Sequence, residues 1–234
     1  MCIRDRAWAA EALVLLALWR RLDRPAIKYA ALAHLVAVTL RLVVNPNVLG
    51  YHERASTPVF NWIALTYGVP ALALFAAWAL LRDLEAPRLR PWETGDPKAP
   101  VPLAALACAA AGGLVVFAWM NLAIVDAFAD GPRLTLDLAH LPARDLTMSL
   151  AWAVYALGLL AIGMRRASAA LRWTSLALVL ATAAKVFLYD LAHLRDLYRV
   201  ASLVGLAASL IAISVLYQRF VFEAHKPRLA GRAC

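Results

Sequence analysis

The sequence predicts an all-α fold, a polytopic bundle of about seven transmembrane helices. Three observations carry that prediction. Apolar residues make up 63% of the 234 positions, well above the half or so usual in a soluble domain. They fall in blocks long enough to cross a bilayer, and a spanning helix needs about 20 residues. The charged residues lie between those blocks, on alternating sides, which is how a membrane protein fixes its orientation.

The blocks run roughly over 7–19, 25–44, 59–81, 101–126, 146–164, 171–189 and 198–220. The first is short and carries Glu11. Residues 1–6, Met-Cys-Ile-Arg-Asp-Arg, read as a non-native start, with the natural chain extending further upstream. No small-residue cleavage site follows the first apolar run, so it does not read as a signal peptide. Asn45-Pro46-Asn47 should stop the second helix. Thr57-Pro58 reads as an N-cap followed by proline at the first helical position of the third. Pro70 falls inside that helix, where it removes a hydrogen bond. Asp145 and Asp196 are placed to cap the fifth and seventh. Between helices 3 and 4 the charged, Pro-rich 82–100 reads as a solvated connector. In 127–145, Leu134, Leu136 and Leu138 alternate with Thr135 and Asp137, which predicts a short extended piece with one apolar side.

Basic residues set the topology. The loops after helices 1, 3 and 5 and the C-terminal tail hold fifteen Lys and Arg, and the opposite loops hold five. The positive-inside rule then places the C-terminus in the cytoplasm, with 221–234 as a basic cytoplasmic tail, and the start of helix 1 outside. The net charge of +9 is spent on this asymmetry, which argues against nucleic-acid binding. The three cysteines, Cys2, Cys108 and Cys234, form no CxxC and no ligand spacing, so neither a disulfide framework nor a zinc site is expected. His52, His140 and His193 fall in separate outer loops, and His34 reads as a buried core histidine. No cofactor is expected.

Small residues mark packing faces: Ser202, Gly205, Ser209 and Ala212 on helix 7, Ala109 and Gly112-Gly113 on helix 4, Gly158 and Gly163 on helix 5. In lipid, small residues let backbones approach closely. These stripes predict helices 4–7 as the tight centre of the bundle and helix 1 as a loose edge.

With the topology set, the intramembrane polar residues fall at one level. Glu11, Arg41, Asn61, Asn121, Asp126, Asp145, Lys185, Asp190 and Arg199 all lie towards the outer ends of their helices, while the inner halves are nearly free of charge. Charges inside a membrane cost a few kcal/mol each and face a bundle interior or a watery cavity. Lys185 and Asp190 are about 140° apart on a helix and are poor partners for each other. Lys185 shares a face with Thr174, Leu178, Thr182 and Tyr189 and is expected to pair across helices, with Asp126 first, then Glu11 or Asp145.

Several stretches resemble a known family. Arg144-Asp145-Leu-Thr-Met-Ser-Leu-Ala-Trp-Ala-Val-Tyr-Ala, then Lys185-Val-Phe-Leu-Tyr-Asp190 and Leu197-Tyr-Arg-Val, are similar to the C-terminal part of the predicted bacterial membrane proteins grouped as domain of unknown function 2339. Phe60-Asn61-Trp62, Tyr67-Gly-Val-Pro70 and Leu216-Tyr-Gln-Arg-Phe220 agree, so the resemblance covers most of 10–220. It implies that residues 7–220 are a fragment of a longer bundle, set in a bacterial envelope, with no established activity to carry over.

Three functions stay open. The first is a non-catalytic inner-membrane component with a periplasm-facing polar layer. Its partners would be the lipid bilayer, upstream helices of the longer protein and other envelope proteins. The second is an enzyme acting on a lipid-linked or envelope glycan substrate at the periplasmic face. The third is a transporter, for which polar residues should also line the midplane. A layer closed by internal contacts favours the first, and a deep outward groove the second.

Overall fold

The computed structural model describes residues 2–44, 61–84, 93, 102–129, 131, 134, 141–190 and 197–217. All seven expected segments are helices: α1 (Cys2–Leu22), α2 (Pro25–Val44), α3 (Trp62–Leu84), α4 (Leu103–Ala127), α5 (Pro142–Arg165), α6 (Ala169–Lys185) and α7 (Leu197–Tyr217). A π turn, Val186–Asp190, continues α6. Among the described residues, five helices are long and apolar enough to cross a membrane: α2, α3, α4, α5, and α6 with its π turn. The charges on α1 keep it out of that set, and in α7 the qualifying apolar run, Leu203–Val215, is shorter. The chain divides into two compact units, Met1–Ala139 and His140–Cys234, and each is described by itself.

In the first unit α1 and α2 form an antiparallel hairpin. Its turn is tight because Asp23 takes φ 53° and donates its backbone N–H to the Trp19 carbonyl. Asp is one of the few side chains that tolerates the left-handed region. Asp5, Ala9, Ala12, Leu16 and Trp19 are the buried positions of α1, and Lys28, Ala31, Leu35, Val38 and Leu42 those of α2. Both sets step by three and four, the seam of a coiled-coil-like pair. Helix α1 is therefore no loose edge: it is helical from Cys2, and it packs on α3 as well as on α2.

The centre of this unit is α3. Ile63, Thr66, Tyr67, Pro70, Ala71, Ala73, Leu74, Ala77 and Leu81 are buried and form one broad face, while Leu65, Leu72 and Phe75 on the other side are exposed. The helix runs on through Pro70. Helix α4 lies against it, and a Cβ on Gly112 would come within 3.1 Å of the Phe75 ring. Asn61 caps α3: its Oδ1 accepts the backbone N–H of Ile63 at 2.9 Å and of Ala64 at 3.3 Å. Thr57 and Pro58 lie outside the described residues, as do Asn45-Pro46-Asn47, just past the end of α2. Leu134 is buried in the same core. The alternation at 135–138 lies outside the described residues.

In the second unit α5 and α6 pair through a Schellman turn. The Ser168 N–H donates to the Gly163 carbonyl and the Ala167 N–H to that of Met164, with Ala167 at φ 51°. Gly163 is where the helices come closest: a Cβ there would sit 3.0 Å from Leu171 Cβ and 3.2 Å from the Arg172 backbone nitrogen. Ser175 Oγ donates across to the Ala156 carbonyl at 2.8 Å. Asp145 does not cap α5. Leu141 holds the N-cap position, Pro142 opens the helix, and Asp145 lies buried within the first turns. The stripes on α5 and α7 only partly serve as expected. Gly158 and Gly205 have open space where a side chain would go, and Gly205 and Ser209 are exposed. Asp196 lies outside the described residues.

Candidate functional site

The nine polar residues singled out in the sequence divide between the units. Glu11, Arg41, Asn61, Asn121 and Asp126 are in the first, and Asp145, Lys185, Asp190 and Arg199 in the second. The first set is built from helix-to-helix contacts. Asn61 Nδ2 donates to Asp126 Oδ2 at 2.8 Å, joining the start of α3 to the end of α4, with both side chains buried. The same asparagine caps α3, so one side chain fixes a helix terminus and the depth of its neighbour. Arg41 meets Asp5 at 2.9 Å, Nε to Oδ1, although the N–H is not aligned on the oxygen, so this is a Coulombic contact more than a hydrogen bond. Glu11 faces His34, Oε2 to Nε2, at 3.7 Å. Asn121 Nδ2 donates to the Phe117 carbonyl one turn back in its own helix.

Three features of this unit lie outside the sequence-derived set. Asp5 is 1% exposed, in a stretch read as foreign to the fold. Lys28 and Glu93 form a buried ion pair at 2.7 Å. Glu93 also accepts from the Tyr29 hydroxyl, and the Lys28 ammonium lies over the Trp19 and Tyr29 rings. This corrects the view of 82–100 as wholly solvated, since Glu93 is buried. Tyr67 donates its hydroxyl to the Leu42 carbonyl near the end of α2 at 3.0 Å. The signal for Asp5 was available: it sits four residues before Ala9 in the apolar seam of α1. Nothing in the sequence pairs Lys28 with a glutamate 65 positions away.

The second unit gathers a denser cluster. Lys185 Nζ, at the last turn of α6, donates to Ser149 Oγ at 2.8 Å and to the Asp145 carbonyl at 3.1 Å, both on α5. Ser149 is buried and donates in turn to the same carbonyl. Arg144 and Asp145 are buried beside each other at 3.4 Å. Tyr189, in the π turn, places its ring 5.8 Å from the Lys185 ammonium. Of the acids expected near Lys185, Asp145 shares its unit, and Lys185 reaches it through the backbone carbonyl while the Asp145 carboxylate lies beside Arg144; Asp126 and Glu11 belong to the other unit. Asp190 closes the π turn and Arg199 lies in the first turn of α7, and their side chains lie outside the described part of the structure.

The cluster has a definite chemical capacity. An amine 2.8 Å from a hydroxyl is a pairing used to activate nucleophiles, but there the hydroxyl gives its proton to the amine. In this site the direction is reversed: the amine donates to Ser149, whose own hydrogen goes to the Asp145 carbonyl. The arrangement ties α6 to the first turns of α5. A π turn directly after Lys185 sets the phase of the last residues of that helix, and such turns recur at functional sites.

The family described as predicted membrane protein (DUF2339) matches residues 3–220. The chain belongs to this family. Its helices and its match agree that this DUF2339 chain is a multi-pass membrane protein. No curated protein and no solved structure matches it.

Proposed function

We propose that this DUF2339 chain is a non-catalytic component of the bacterial cytoplasmic membrane that assembles with other envelope proteins, its intramembrane polar residues serving as clamps between helices. One observation carries the reading: each candidate residue whose side chain is described is engaged within its own unit. Glu11 meets His34, Arg41 meets Asp5, Asn61 holds Asp126, and Lys185 holds Ser149 and the Asp145 carbonyl. Asn61, Asp126, Arg144, Asp145 and Ser149 are also buried, whereas a general acid or base must reach a substrate. In a membrane, such contacts between helices contribute about 1 kcal/mol each, enough to fix register but modest singly. The asymmetry of fifteen basic residues against five supports a cytoplasmic C-terminus and a polar layer towards the periplasm.

Ser149→Ala tests it, expressed from a plasmid in a strain deleted for the gene and scored for growth under envelope stress. A clamp loses the two hydrogen bonds of Ser149 while Lys185 keeps the Asp145 carbonyl, so the variant should reach normal abundance and complement in full. A variant that accumulates normally but fails to complement would replace the assembly reading with a catalytic one.

A further inference from the structure

The turn between α5 and α6 concentrates charge that the hairpin itself does not balance. Arg165 and Arg166 are exposed there. Arg172 joins them from one turn into α6 with its stem against α5, since a Cβ on Gly163 would sit 3.2 Å from its Cγ. Within residues 141–190 the acids are Asp145 and Asp190, both at the opposite end of the two helices. About 20 residues of helix put that end on the order of 30 Å from the turn, beyond a Debye length in physiological salt. Both helices are long and apolar enough to span a membrane, so the turn joining them emerges at the surface, among lipid head groups. Trp173, next to Arg172, is 70% exposed, and Ile162 on the α5 side is 48% exposed. A tryptophan facing outwards beside the arginines is an anchor suited to head-group level. The α1–α2 turn provides the contrast. It also holds three arginines, Arg20, Arg21 and Arg24, but Asp23 lies among them and its tryptophan, Trp19, is buried.

We propose that the α5–α6 turn binds an anionic phospholipid, with Arg165, Arg166 and Arg172 taking its phosphate and Trp173 flanking its acyl chains. Guanidinium groups meet phosphate oxygens through paired N–H donors. Each carries five donors, so contacts made within the protein leave others for a ligand. A cluster of cations favours a lipid of net negative charge over a zwitterionic one, whose own ammonium is repelled. A soluble phosphate ester offers the arginines the same group but gains nothing from the apolar surface beside them, so the occupant is the lipid. The proposal goes beyond the assembly reading and does not rest on it.

Native mass spectrometry of the purified chain in neutral detergent tests it, with phosphatidylglycerol and phosphatidylethanolamine of identical acyl chains added in turn. The native chain should bind phosphatidylglycerol at least five times more tightly. Arg165→Gln should weaken that binding about five-fold, the worth of one cation near an anionic lipid surface. Arg165→Gln/Arg166→Gln/Arg172→Gln should erase the preference. Arg20→Gln/Arg21→Gln/Arg24→Gln removes the same charge from the other turn and should keep it. Millimolar glycerol phosphate should leave the lipid bound. The proposal is overturned if the native chain shows no preference, or if glycerol phosphate displaces the lipid. Equal losses from the two triple variants overturn it as well, because binding would then follow net charge and not this turn. If the first triple variant does not fold, Arg165→Gln at its exposed position decides, and an unchanged affinity there removes the site. The Ser149→Ala test of the assembly reading is independent of all these outcomes.

Discussion

Asn61 shows how much one side chain does in this bundle. Its carbonyl oxygen caps α3 and its amide nitrogen reaches Asp126 on α4. Two substitutions separate the roles. Asn61→Ser keeps a capping oxygen but leaves buried Asp126 short of this donor, and should cost about 1–3 kcal/mol. Asn61→Leu loses the cap as well, about 1 kcal/mol more, and should cost about 2–4 kcal/mol. Thermal unfolding of the purified chain in detergent, followed by circular dichroism, should rank them in that order. Equal losses would mean that the cap contributes nothing. The Lys28–Glu93 pair makes a second case. Removing one member of a buried pair strands the other charge, so Lys28→Met should destabilise by about 3–5 kcal/mol, with Lys28→Met/Glu93→Leu recovering much of the loss.

At the scale of elements, the α5–α6 turn carries strain that a single change should relieve. Ala167 sits at φ 51°, a conformation that costs a side-chain-bearing residue about 1–2 kcal/mol and glycine little. Ala167→Gly should raise the unfolding temperature. Gly163→Ala should lower it, because the added methyl would press on Leu171 and on the Arg172 backbone, and overpacking costs about 1–3 kcal/mol. Gly158→Ala meets open space and should be neutral or stabilising. The three measured together distinguish close approach from mere glycine content, which the sequence could not do. There Gly158 and Gly163 look alike, and only the turn after Arg165 makes one of them a contact. The seams of α1 and α2 were legible, since 5, 9, 12, 16, 19 and 28, 31, 35, 38, 42 each step by three and four. Reading α1 as beginning at residue 7 concealed the first of them, and with it the Asp5–Arg41 contact. The centrality of α3 was not legible either: its apolar residues cover the whole circumference, and such a helix is as consistent with facing lipid as with facing other helices.

For the whole molecule, helix number and membrane class could be read from length and hydropathy, because a bilayer imposes both on any chain that crosses it. The polar contacts could not, because a pairing such as Asn61 with Asp126 depends on which helices become neighbours. Orientation rests on charge alone, and it makes a prediction that does not depend on any packing detail. The turn between α5 and α6 holds Arg165 and Arg166, with Arg172 one turn beyond, and lies on the side where basic residues accumulate. Ala167 in that turn is exposed, so a cysteine there is reachable by a reagent on its own side of the membrane. In intact cells, an impermeant maleimide should leave Ala167→Cys unlabelled, and permeabilising the membrane should expose it. Labelling before permeabilisation would invert the topology. The site residues near Lys185, at the far end of α6 from that turn, would then face the cytoplasm, and a search for their partners would have to move to that compartment.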